Sequence, residues 1–197
     1  MNSKLILLVI SCSFLLSQKS RDFYHTYTNE SYFYTITLPE NILVREFDAK
    51  RALLMKGTNI RVANNTFLEL CVMPLDLPKE IGISSKDSMV LTAINYCVES
   101  SFGDGPDNST SCKPTNKITF GKTKSGLRFV KFYLRRYDED YQYNKSSNSI
   151  VGPFYGVNIS SSKGKYVLII KDGGYLLPEV NDQKLQWQIV NSLDLKK

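Results

Sequence analysis

Four cysteines, one histidine and a run of arginines and lysines are the side chains of this 197-residue chain best suited to chemistry. The cysteines are Cys12, Cys71, Cys97 and Cys112. A thiol becomes a nucleophile when a neighbouring base or cation lowers its pKa, and half of a disulfide when the compartment is oxidising. The nucleophile reading needs a base, and the single histidine, His25, lies in a polar N-terminal stretch with no sign of a packed element. A Cys/His pair is therefore not expected. The disulfide reading is better placed. Cys97 and Cys112 flank a turn-rich stretch containing Gly103-Asp104-Gly105-Pro106-Asp107-Asn108. A bridge between them would close a loop of about 15 residues and contribute on the order of 3 kcal/mol. Cys71 sits in the apolar run Phe67 to Leu75 and reads as a buried free thiol. Cys12 follows Val9-Ile10-Ser11, which resembles a bacterial lipobox and makes Cys12 a candidate lipid attachment. The residues that follow Cys12 stay apolar through Leu16, which argues the other way.

The cations Lys117, Lys122, Lys124, Arg128, Lys131, Arg135 and Arg136 cluster, interleaved with Phe129, Phe132, Tyr133 and Tyr137. Four of them, Arg128, Lys131, Arg135 and Arg136, are candidate contacts for an anionic surface: an anionic glycan, a lipid head group or a nucleic-acid single strand stacked on the aromatics. On a strand, though, Arg128 and Lys131 point to opposite faces. The competing reading is a charged outer face balanced by Asp138, Glu139 and Asp140. Those three acids, or Asp104 with Asp107, could hold Ca²⁺, but neither stretch has the spacing of a calcium loop. Asn29, Asn64, Asn108, Asn144 and Asn158 each begin an Asn-x-Ser/Thr sequon, which matters only in a eukaryotic secretory pathway. The chain has no G-x-S-x-G, P-loop, dinucleotide fingerprint or Cys-pair metal motif, so no cofactor and no catalytic group is expected. Paired carboxylates of a hydrolase leave no sequential signature and stay open as a rival.

These residues need a scaffold and a location. Residues 1–17 read as a signal peptide: Lys4 leads, Leu5 to Ile10 form the apolar core, and charge returns at Lys19. The run falls short of the roughly 20 residues of a spanning helix, so no transmembrane span is expected in the mature protein. The expected location is the periplasm, the cell envelope or the medium. Without residues 1–17, 24 basic and 19 acidic residues remain, a charge of +5. That is mild attraction to anions, too little to argue for nucleic acid. With 42 per cent hydrophobic and 22 per cent charged residues, the chain is globular.

Residues 18–30 read as a polar lead-in and 31–197 as a single α+β domain. Alternation predicts a strand from Tyr32 to Leu38, with others at Ile42 to Phe47, Ala52 to Lys56 and Phe67 to Met73. Val90, Leu91, Ile94, Cys97 and Val98 recur on one face of a helix from Lys86 to Ser101, with Ser84 and Asp87 as a capping pair. Strands follow at Lys117 to Lys122, Leu127 to Tyr137, Gly152 to Ser160 and Lys165 to Asp172, with Asp138 to Ser149 as a polar loop. A helix from Asn181 to Leu193 closes the chain. Hairpin-joined strands with two helices predict an antiparallel sheet with helices packed on it.

The opening Tyr34-Thr35-Ile36-Thr37-Leu38-Pro39-Glu40-Asn41 and the closing Trp187-Gln188-Ile189-Val190-Asn191-Ser192-Leu193 resemble the ends of the Mog1/PsbP-like fold family, which includes DcrB-like exported proteins. The resemblance covers about residues 32–195 and implies an α/β/α sandwich. It implies no single activity, and no functional residue of that family has a matching motif here. The expectation is an exported, non-enzymatic domain that binds a protein or surface partner. The alternatives are a carboxylate-based hydrolase of an extracellular polymer and a carrier of a small apolar ligand.

Overall fold

A computed structural model describes residues 24–56, 66–75, 87–101, 103–104, 108–172 and 183–196. The signal segment, Cys12, Asn64, Asp107, Ser84 and the predicted turn at 59–65 lie outside the described residues. In chain order the elements are β1 (Tyr24–Asn29), β2 (Tyr34–Pro39), β3 (Ile42–Glu46), β4 (Arg51–Lys56), β5 (Thr66–Pro74), α1 (Ser88–Glu99), β6 (Gly103–Asp104), β7 (Asn108–Lys122), β8 (Arg128–Asp140), β9 (Lys145–Asn158), β10 (Tyr166–Asp172), α2 (Gln183–Asn191) and β11 (Asp194–Leu195).

Eight strands form one sheet in the order β3-β4-β5-β10-β9-β8-β7-β6, and every neighbouring pair is antiparallel. A second sheet has the order β1-β2-β11. The predicted class holds: an antiparallel sheet with two helices packed on it.

Strand periodicity sets the layers. On β10, Val167 and Ile169 face one way and Leu168 and Ile170 the other, and all four are fully buried. An apolar run of this kind is what a strand covered on both faces requires. Val167 and Ile169 pack with Cys71, Val130, Phe132 and Leu134 beneath α1, whose Met89, Val90, Ala93, Ile94 and Cys97 point inward. Leu168 and Ile170 pack on the other side with Leu70, Val72, Tyr155 and Val157. That side is closed by Tyr34, Ile36 and Leu38 of β2 and by Ile189 and Val190 of α2. The helices thus cover opposite faces, and the small sheet shares the α2 side.

α1 can lie this close because β9 has a glycine beneath it. A Cβ on Gly156 would stand 2.7 Å from Ala93 Cβ. The helix starts at Asp87, whose carboxylate accepts from the Met89 amide at 3.0 Å. That satisfies one of the amides a helix start leaves unpaired. Asp87 is therefore the N-cap itself, where the sequence suggested the first-turn acid of a cap at Ser84.

Four sequence expectations need correction. The polar lead-in at 18–30 contains β1, an edge strand that pairs with β2 from Tyr24↔Pro39 to Asn29↔Tyr34. Its Tyr24, His25 and Thr26 are exposed, so no apolar alternation marks it. The polar loop at 138–149 is mostly strand. β8 continues to Asp140, and β9 begins at Lys145 after a turn at 141–144 in which Asn144 takes φ 47°. Residues 145–150 are all exposed, because this end of the hairpin extends past both layers and needs no buried face. The stretch between Cys97 and Cys112 likewise holds β6 and the start of β7. The fourth correction concerns those two cysteines. Cys71, Cys97 and Cys112 are all free, buried thiols, and the Cys97–Cys112 bridge is not formed. Both sulfurs lie in the apolar layer under α1, where they pack as small hydrophobes. At the far end the helix stops at Asn191, and β11 returns to β2 through Asp194↔Thr35.

Candidate binding face

The four cations singled out in the sequence all lie on β8, and the strand divides them. Arg128 and Arg136 share the α1 side, and each meets a carboxylate. Arg128 pairs with the N-cap Asp87, and Arg136 Nε lies 2.7 Å from Asp138 Oδ1. Lys131 and Arg135 share the α2 side, and neither forms an ion pair among the described residues. Lys131 Nζ sits 5.9 Å from the Tyr155 ring centroid and 5.7 Å from that of Tyr133. Arg135 donates to Asn148 Oδ1 at 3.1 Å. Its cross-strand neighbours are Lys113 on β7 and Ile150 on β9, and Lys113 lies 5.5 Å from the Tyr137 ring.

The strip therefore alternates cation and ring along one edge of the strand: Lys131, Tyr133, Arg135, Tyr137. Trp187 of α2 closes its inner end. The indole stacks on Tyr155 at 6.2 Å and meets the edge of Phe129 at 5.3 Å, yet stays 37% exposed. Gly121 opposite Phe129 makes room for this cluster, since a Cβ there would stand 2.5 Å from the Phe129 ring. Burial, with Tyr133 close by, pushes the Tyr155 hydroxyl up to about 12, so it is neutral at physiological pH.

Lys131 and Arg135 are residues the sequence picked out; Trp187, Tyr155 and Lys113 are not. In the sequence Trp187 stands in the closing helix and in the family resemblance, with no binding role. Lys113 and Tyr155 join through strand register, which the sequence does not reveal. No protein-family model matches this chain, and no curated protein matches it closely enough to count as a relative.

The other candidate chemistry finds less support. A cleft of about 670 Å³ at the far end of the sheet is lined by Thr110, Arg136, Asp138, Glu139, Asp140 and Lys145, among others. It is open and polar, unlike the closed apolar pocket of a small-ligand carrier. Asp138 is already engaged by Arg136 and by Thr110 Oγ1 at 2.8 Å. Among the described residues no three of His, Cys, Asp or Glu gather as metal ligands, and Asp138 and Glu139 point to opposite faces. Cys71 is no better as a nucleophile, because burial raises its thiol pKa above the ordinary value. Of the sequons, Asn108 and Asn144 are exposed. Asn29 is buried, donating to Ala49 O at 2.9 Å and accepting from the Tyr32 amide at 3.0 Å. No described helix is long and apolar enough to cross a membrane.

Proposed function

We propose that this chain is an exported, non-enzymatic binding domain that engages its partner through the α2-side face of β7, β8 and β9. Export rests on the leader-like residues 1–17; cleavage before Cys12 with a lipid on its sulfur is the alternative processing. The Mog1/PsbP-like sandwich remains the proposed fold family, supported by helices on both faces of an antiparallel sheet.

One observation carries the functional reading. Of the four candidate cations, the two on the α1 side pair with carboxylates, and among the described residues the two on the α2 side do not. Lys131 instead stands by Tyr133 and by Tyr155, the ring that Trp187 stacks on, and Arg135 lies between Tyr133 and Tyr137 on the same face of the strand. Trp, Tyr and Arg are the residues that dominate binding surfaces, because each offers large area or several donors at low entropic cost. An unneutralised cation pair in such company is placed to meet an anionic partner.

The test is comparative capture. The full chain, purified after export, is immobilised and exposed to the envelope fraction or medium of its own source, and bound material is identified by mass spectrometry. Material retained by the native chain and by Lys122→Glu, on the α1 side, but lost with Lys131→Glu/Arg135→Glu, supports the reading. Equal capture by all three variants sinks it.

A further inference from the structure

We propose that the ligand of this face is an acidic polysaccharide, one sugar ring stacking on Trp187 while its carboxylates or sulfates meet Lys131, Lys113 and Arg135. The inference rests on the binding reading above and names the chemistry of the partner.

Shape is the first argument. The strip is extended, because its members lie along one strand and its cross-strand neighbours. Lys131 and Arg135 are four residues apart on β8, a separation of about 13 Å at the ordinary strand rise. Two cations in line, with a tyrosine between them, suit a ligand with charge repeated along its length. A folded protein partner would more often drive an anchor side chain into a pocket. None of the clefts around residues 108–110, 136–147 or 28–49 is lined by Lys131, Tyr133, Tyr155 or Trp187.

Polarity is the second. Thr119, the cross-strand partner of Lys131, and Asn148, held by Arg135, are exposed neutral hydrogen-bonding groups on the same face. They suit a ligand rich in hydroxyls. A pyranose presents an apolar C–H face to an indole and hydroxyls at its rim, which suits an exposed Trp187 at one end of a strip that also carries Thr119 and Asn148. A single-stranded nucleic acid asks for a succession of exposed rings. Here Tyr155 is buried beneath Trp187, and Tyr133 and Tyr137 are half-buried with Lys131 over one ring and Lys113 over the other, which leaves Trp187 the most exposed ring of the strip. The charge is the third argument. Lys113, Lys131 and Arg135 stand without a carboxylate partner among the described residues, and the first acid on this side of β8 is Glu139, beyond Tyr137 at the far end.

The experiment measures binding of the full, exported chain to four probes: heparin, polygalacturonate, neutral dextran and oligothymidylate. The expected result is binding to heparin or polygalacturonate that weakens with salt and falls about tenfold with Lys131→Glu/Arg135→Glu. Trp187→Ala should weaken it about fivefold while Trp187→Tyr, which keeps a ring, retains most of it. Thermal melts establish that each variant is folded. Lys122→Glu should bind as the native chain does. Acidic-glycan binding that ignores these substitutions overturns the proposal, as does equal affinity for dextran. Tighter binding to oligothymidylate than to either glycan overturns it in favour of nucleic acid. If no probe binds, the capture experiment separates the two levels. Capture still lost with Lys131→Glu/Arg135→Glu removes the polysaccharide and keeps the face, and capture unchanged removes both.

Discussion

Lys171 Nζ lies 3.2 Å from Glu69 Oε2, and the two side chains are only 12% and 15% exposed. They are cross-strand partners on β10 and β5, under the last turns of α1. The ammonium also donates to Ser100 Oγ at 3.0 Å and stands 5.3 Å from the Tyr96 ring, while the Tyr96 hydroxyl donates to Glu69 Oε1 at 3.2 Å. Every group in this cluster has a partner, which is the condition under which a nearly buried ion pair is tolerated. Lys171→Met would leave the Glu69 carboxylate facing an apolar layer. The expected loss is about 3 kcal/mol in urea unfolding, and Glu69→Leu added to Lys171→Met should recover a good part of it. A double variant as unstable as the sum of both singles would show the pair is not coupled.

The second prediction concerns the approach of α1 to the sheet. Gly156→Ala would place a methyl 2.7 Å from Ala93 Cβ, 3.2 Å from Val130 and 3.3 Å from Val167. Those neighbours are fully buried, so the helix must lift rather than a side chain turn away. Overpacking of this kind costs about 1–3 kcal/mol. Ala93→Gly in the same chain should relieve the clash, leaving about 1 kcal/mol for the glycine inside the helix. Denaturant unfolding of the two single variants and the double variant reads this directly.

The contrast between β10 and β9 shows what was legible in the sequence. β10 is a buried apolar run bounded by polar residues, and α1 repeats its apolar residues at helical spacing; both were visible because burial imposes a pattern. Residues 145–150 of β9 are exposed, so the same backbone carries Ser, Asn and Lys and reads as a loop. β1 was hidden for the same reason. The binding face was half visible. Lys131 and Arg135 stood out as cations among aromatics, and strand parity already separated Lys131 from Arg128. Which pair would be neutralised depended on Asp87, 41 residues from Arg128 along the chain, and on a helix start that only the fold brings there. Trp187 could not be joined to Tyr155 without knowing that α2 packs on β9. The disulfide expectation rested on loop length and export, whereas the structure places both thiols free in the apolar layer under α1.

A third prediction follows from those thiols. Burial raises the pKa of Cys97, a group with no exposed surface, and raises Cys71 and Cys112 by the same cause. The thiol form is not the reactive one. In native buffer at pH 8, Cys71, Cys97 and Cys112 should resist Ellman's reagent over hours, and all three should react promptly in guanidinium. The exported chain is the proper sample, with thiols identified by alkylation and peptide mapping. A Cys97–Cys112 peptide pair that survives alkylation would show that the bridge forms after export and that the free-thiol state is not the one in use.

The last prediction uses the single tryptophan as a reporter for its own stacking partner. Burial pushes the hydroxyls of Tyr155 and Tyr27 up to about 12, in Tyr27 with help from its hydrogen bond to Glu46. A tyrosine in the unfolded chain ionises near 10. Between those values the unfolded state has lost a proton that the native state keeps, so the native state binds more protons and stability falls as pH rises. The contribution of each buried tyrosine is therefore complete below about pH 10 and is lost as the pH climbs toward 12. Trp187 stacks on Tyr155, and tyrosinate quenches indole emission. Emission from Trp187 in the folded chain should hold steady through pH 10, the value for a tyrosine in an unfolded chain, and fall only near pH 12. Tyr155→Phe should remove that late fall. Quenching at pH 10 in the native chain would mean that Tyr155 is open to water and that the indole platform at the head of the strip is not held as described.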